Sequence, residues 1–297
     1  MSGRVGHVLR RVAGEPALLL GAPRALLMQV AHPKIAAAVA DHSDFRRRPW
    51  LRLWKTLDAM VLLVFGSEHQ QRRALAAVHG THDRVRGRLR DAGGRWPAGT
   101  AYAAHDPSAQ AWVLLTLADT AEVVIDRLVR PFHPGEREAL WADWRAFGVA
   151  FGIPARLLPE RYGDYHACLR ETLASDVLAV TDTTRALAEG ILRPKVPVLP
   201  RGIWEPAVSL TTALLPARLR VAYGLPLGAR QRFECALWTR AQRTTWRLLP
   251  RARRALPRLY AAARRTALLS SALAPNQPEP TQSSSTPAPA TAQAGVD

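Results

Sequence analysis

Cysteine is nearly absent from this chain of 297 residues: Cys168 and Cys235 lie far apart and form no CxxC pair. A disulfide framework and a thiolate metal site are therefore not expected, and the composition suits a reducing cytoplasm. Long apolar runs are missing too. The longest candidate, Ala59 to Phe65, falls far short of the ~20 residues that a bilayer span requires. Arg10 and Arg11 precede apolar residues, but Glu15, Pro16 and Arg24 interrupt any signal-peptide core. The expected location is cytoplasmic, with membrane contact at most peripheral. No Gly-rich phosphate loop, GxSxG or HExxH is present, which excludes a dinucleotide fold, an α/β-hydrolase and the common zinc-protease motif.

Acid is scarce where the chain is most basic. The net charge is +17, and from Arg218 to Arg265 there are thirteen arginines and no lysine against one acid, Glu234. Such a segment suits an anionic lipid surface, and it also reads as solvated helix faces of an arginine-rich protein. No RNP-type aromatic motif, GXXG loop or zinc-finger spacing accompanies it, so no specific nucleic-acid partner is expected.

What is present is apolar residue at helical spacing. At 48% hydrophobic, the chain can bury a sizeable core. Pro23 opens a helix that His32-Pro33 interrupts, and a second short helix runs from Pro33 to Ala40. Asp41-His42-Ser43-Asp44 reads as a loop rich in capping residues. Pro49 opens a helix to Phe65, and Ser67 caps the next, which the stripe Leu75, Val78, His82, Val85 and Leu89 extends from Glu68 to about Leu89. Asp91 to Gly99 is a loop. Further helices are predicted over 107–129, 134–148, from Tyr162 past Thr172, over 175–192, and from Trp204 to about Leu269. The fold class is all-α: one large helical domain over 1–272, followed by a Pro/Ser/Thr/Ala-rich tail over 273–297 that cannot bury enough surface to order.

Two of these helices carry the chemistry. Arg52, Lys55 and Thr56 fall at i, i+3 and i+4, on one helix face, and His82 stands in an apolar stripe where leucine is the default. They read as two sides of a cofactor pocket, for which haem held by one histidine is the most economical occupant. The plainer alternatives stay open. Arg52 and Lys55 suit a solvated face, a mid-helix Thr56 bonds back to a carbonyl, and a buried histidine is often a core residue satisfied by the backbone. Spacing does not choose between His79 and His82. A non-haem metal finds only His79-x-x-His82, which lacks a clear third ligand, and Asp41-His42-x-Asp44, whose residues equally suit a capping loop.

An ordered set of short motifs narrows the choice. It comprises His32-Pro33-x-Ile35 through Asp41-His42-Ser43-x-Phe45, Arg52-Leu53-x-Lys55-Thr56 with Phe65-Gly66, and His82-x-x-Val85-x-Gly87. Tyr102-x-Ala104-x-Asp106-Pro107 with Trp112-Val113, and Tyr162-x-x-Tyr165, complete it. Over about residues 15 to 195 the chain resembles the haem-dependent oxygenases of the rubber oxygenase (latex clearing protein) and MpaB group. The resemblance implies a globin-like core with additional helices around haem b, with His82 as proximal iron ligand. Arg52, Lys55 and Thr56 would lie on the distal side. It implies dioxygen-dependent oxidation or cleavage of a C=C bond in a small hydrophobic, isoprenoid or prenylated substrate; the apolar Leu53, Trp112 and Leu115 are candidate pocket walls, and equally candidate core residues. Where the rubber oxygenases carry a glutamate, this chain reads Ile35-Ala36-Ala37-Ala38, leaving Asp41 or His32 as candidate bases. A haem-binding sensor or carrier without turnover, and a basic helical protein that binds membrane or nucleic acid, are the alternatives.

Overall fold

The computed structural model describes residues 6–42, 49–194 and 200–248, and is predominantly α-helical as expected. Its helices are α1 (His7–Ala13), α2 (Ala22–Val30), α3 (Pro33–His42), α4 (Pro49–Phe65), α5 (Glu68–His82) and α6 (Pro107–Val124). They continue as α7 (Pro134–Phe151), α8 (Tyr162–Ala174), α9 (Asp182–Leu192), α10 (Glu205–Leu214), α11 (Ala217–Ala222) and α12 (Ala229–Leu248). α3 runs on to His42, so Asp41 and His42 of the expected loop are helical, while residues 43–48, 195–199 and 249–297, with the expected tail, lie outside the described residues.

Local chemistry sets several of these boundaries. Ser67 and Gln70 form a reciprocal capping box at the start of α5, with bonds of 2.9 and 3.3 Å. Asp106 accepts the amide of Ser108 at 3.0 Å and Pro107 fills the first helical position, so α6 starts where the sequence predicts. Asp143 of α7 accepts the amides of Val8 and Leu9 at 3.0 and 2.9 Å, so a long-range carboxylate caps α1.

α6 is the centre of the core. Trp112, Leu114, Leu115, Ala118, Ala121 and Val124 are buried along it, with α2 and α7 packed against it. Four consecutive turns of buried apolar side chains remove enough surface from water to organise the surrounding helices. Into this core reaches Arg24, only 2% exposed. Its guanidinium donates to the Leu214 carbonyl at 2.8 Å, Thr120 Oγ1 at 2.6 Å and Asp119 Oδ2 at 2.5 Å.

Two predicted helices are shorter than expected. α5 stops at His82, because the following Arg84-Val85-Arg86-Gly87-Arg88-Leu89-Arg90 alternates charge with small or apolar residues at the period of a strand. Arg86–Arg88 (β1) pairs antiparallel with Ala101–Ala103 (β2), setting Gly87 opposite Tyr102. Val85 and Leu89 satisfy a helical stripe and a strand face alike, and the arginines between them decide for the strand. Likewise α9 starts at Asp182, capped by Thr181, rather than at Ser175. The intervening chain is bonded elsewhere: Ala179 N–H donates to Ala31 O at 2.9 Å, and the Asp176 and Val177 carbonyls accept from Arg95 N–H and Trp96 Nε1, both at 3.0 Å.

Candidate functional site

Because α5 ends before the alternating segment, His79 and His82 occupy its last turn, three residues apart on one side of the helix. The turn before α6 brings a third imidazole to them. The His105 ring centroid lies 5.7 Å from those of both His79 and His82. His105 is itself held by Asp83, with Nε2 and Oδ1 2.7 Å apart. Phe151, at the end of α7, packs edge-on against His79 at 5.2 Å and His82 at 6.2 Å.

The two helical imidazoles differ in what they bond. His79 Nε2 donates to the carbonyl of Phe151 at 3.0 Å. His82 is half-buried, and its Nδ1 is buried with no hydrogen-bond partner. Burial lowers the His82 pKa below its ordinary value, the neighbouring His105 and His79 push the same way, and Asp83 opposes them. His82 is thus a neutral imidazole at neutral pH with an unused ring nitrogen. A macrocycle that supplies its own equatorial nitrogens needs one such donor from the protein, so this residue fits a histidine-held haem. Among the described residues no three His, Cys, Asp or Glu side chains converge as ligands for a bare metal ion.

Arg52 and Lys55 lie on α4, which packs against α5. Their side chains, and that of Leu53, fall outside the described residues. Thr56 is exposed. Trp112 and Leu115 belong to the core, and Trp112 Nε1 is committed to the Met28 carbonyl at 3.0 Å. Of the candidate bases, Asp41 accepts from Tyr102 Oη at 2.6 Å and Arg90 at 2.8 Å. His32 is buried, its Nδ1 unpartnered, and burial followed by the positive charge of Lys34 lowers its pKa to about 4. Asp44, the second acid of the loop motif, lies outside the described residues.

Sequence reasoning did not assemble a second polar group inside the bundle. Glu122 of α6, buried, accepts from Tyr162 Oη and Arg137, and faces His166 Nε2 at 3.2 Å. Arg137 also pairs with Asp126, one turn further along. Burial alone raises the Glu122 pKa, but the bonds from His166 and Tyr162 and the charges of His166 and Arg137 outweigh it and hold the carboxyl low. The available signal was the pair Glu122 and Asp126, four residues apart at the C-terminal end of α6 and in the turn that follows it. Tyr165 belongs to the same neighbourhood, stacked on Trp141 with centroids 4.3 Å apart.

The helical bundle thus sets His82, with Nδ1 unbonded, among the rings of His79, His105 and Phe151 at the end of α5. The chain belongs to the family described as "ER-bound oxygenase mpaB/B'/Rubber oxygenase, catalytic domain", which it matches over residues 9–254. It is therefore an oxygenase catalytic domain and an oxidoreductase. The match runs beyond the motif-bearing region, through α10, α11 and α12. No curated protein and no solved structure shows significant similarity to the chain. Among the described residues no helix is long and apolar enough to cross a membrane.

Proposed function

We propose that this protein is a haem b-dependent oxygenase that uses dioxygen to oxidise or cleave a C=C bond in a small hydrophobic, isoprenoid or prenylated substrate. One observation carries the reading: His82 is kept neutral and its Nδ1 is buried without a partner, while His79 is committed to the Phe151 carbonyl. A buried imidazole nitrogen left unbonded costs stability, and a ligand that takes up the histidine offsets that cost.

In this reading His82 holds the iron, and haem b when bound supplies the binding and activation of dioxygen. Arg52 and Thr56 would donate hydrogen bonds that stabilise negative charge developing on dioxygen. Lys55 holds a proton for the oxygen side. Asp41 is pinned by Tyr102 and Arg90, and His32 resists protonation, so neither is assigned the role of base.

The test is an absorption spectrum of haem-supplied protein followed by oxygen uptake with an isoprenoid substrate. A Soret band and substrate-dependent uptake are expected. A well-folded preparation that takes up no haem ends the reading. Haem binding without uptake on any isoprenoid leaves a carrier and removes the oxidation step.

A further inference from the structure

α12 turns an unusual face to solvent. One side of the helix packs on α10, and Arg243 reaches across to the Asp126 carbonyl at 2.9 Å. The outward stripe is Arg230, Phe233, Leu237, Arg240 and Thr244, advancing by three and four residues along one face. Phe233 is 70% exposed and Leu237 58%, with Ala236 exposed between them and Arg232 beside them. Two large apolar side chains held one turn apart in water, bracketed by arginines, form the pattern of a helix that lies in a polar–apolar interface.

We propose that this face of α12 docks on an anionic lipid surface, with Phe233 and Leu237 entering the acyl boundary and Arg232 and Arg240 meeting lipid phosphates. Arginine suits the position because its stem can lie along apolar surface while the guanidinium stays at headgroup level. Charge decides against a second copy of the chain. Glu234 is the sole acid among residues 206–248 and is already held by Arg230 at 2.7 Å, so two such faces would set arginine against arginine. A nucleic-acid duplex would answer the charge but would set Phe233 and Leu237 against phosphates, burying nothing apolar. The lipid surface alone satisfies both halves of the face.

The test is co-sedimentation of the full-length protein with vesicles of phosphatidylcholine alone and of equimolar phosphatidylcholine and phosphatidylglycerol. Binding is expected to the mixed vesicles, weakening as salt is raised. The double variant Phe233→Ser/Leu237→Ser should weaken it by about tenfold or more, and Arg232→Glu/Arg240→Glu by about tenfold or more. Both should keep the wild-type circular dichroism, because all four side chains are exposed and the one bond lost, from Arg232 to the Leu227 carbonyl at 2.8 Å, is itself at the surface. Leu157→Ser, at an exposed apolar residue elsewhere, should leave binding unchanged. The proposal is overturned if wild type ignores both vesicles, if the Phe233/Leu237 variant binds as well as wild type, or if these residues instead support a dimer or duplex binding in the absence of vesicle binding.

Discussion

His79 gives its Nε2 proton to the carbonyl of Phe151, 3.0 Å away at the end of α7, and so ties the last turn of α5 to a second helix. His82 has no such tie through Nδ1. The two imidazoles that spacing alone leaves equivalent are therefore told apart by the fold: one fastens two helices and the other makes no such bond through Nδ1.

Haem retention should follow that division. His82→Ala is expected to abolish the Soret band in haem-supplied protein while leaving the fold intact, since it removes no bond through Nδ1. His79→Ala should keep the band and lower stability by about 1 kcal/mol, the ordinary worth of one hydrogen bond, with a further loss from the Phe151 ring contact. Retention of haem by His82→Ala with loss in His79→Ala would reverse the assignment.

The glycine of the His82-x-x-Val85-x-Gly87 motif acts through packing. A Cβ on Gly87 would sit 2.5 Å from Tyr102 Oη, the hydroxyl that Asp41 accepts at 2.6 Å. Gly87→Ala should displace Tyr102 and cost about 1–3 kcal/mol in denaturant unfolding. Gly80, two residues before His82, has nothing within 4 Å of its Cβ position. Gly80→Ala should therefore stabilise α5 by about 0.5–1 kcal/mol. Equal effects of the two substitutions would refute the packing account.

Much of this architecture was legible because local signals and burial agree. Pro49, Ser67 and Asp106-Pro107 place the starts of α4, α5 and α6 where they are observed, and the apolar run from Ala111 to Leu117 lies in the core. The strand after His82 was not, because Val85 and Leu89 fit both a period of three to four and a period of two. Only the partner strand, with Tyr102 on Gly87, resolves the ambiguity. Arg24 was not legible as a buried residue either, for a different reason. In sequence it interrupts an apolar stretch, yet its acceptors Asp119, Thr120 and Leu214 lie ~100–200 positions away, beyond the reach of any local pattern. The site divides likewise: His79 and His82 are neighbours in sequence, whereas His105 and the Phe151 carbonyl join them only through the fold.

The Arg24 network sets its own expectation. Arg24→Met leaves the buried Asp119 without its cation and should destabilise by about 3–5 kcal/mol. Adding Asp119→Asn removes the stranded charge and should recover a large part of that loss. A double variant no more stable than the single one would show that the guanidinium's bonds to Thr120 and Leu214 dominate instead.

His32 makes stability depend on pH. Its ordinary value of 6.5 falls to about 4 in the folded protein, through burial first and then Lys34, with Asp106 opposing. Between those values the unfolded chain carries a proton on this imidazole that the folded chain excludes. Stability therefore rises with pH across the window. The contribution is complete above about pH 6.5 and is lost as pH falls through about 4, amounting to roughly 3 kcal/mol at most. Asp106 titrates lower, at about 2 in the folded protein, so its own loss lies largely beneath this window. Urea midpoints measured near pH 7 and near pH 4.5 should thus diverge more for wild type than for His32→Leu, which has no proton to exclude. Parallel shifts in the two proteins would mean that His32 is not the titrating group.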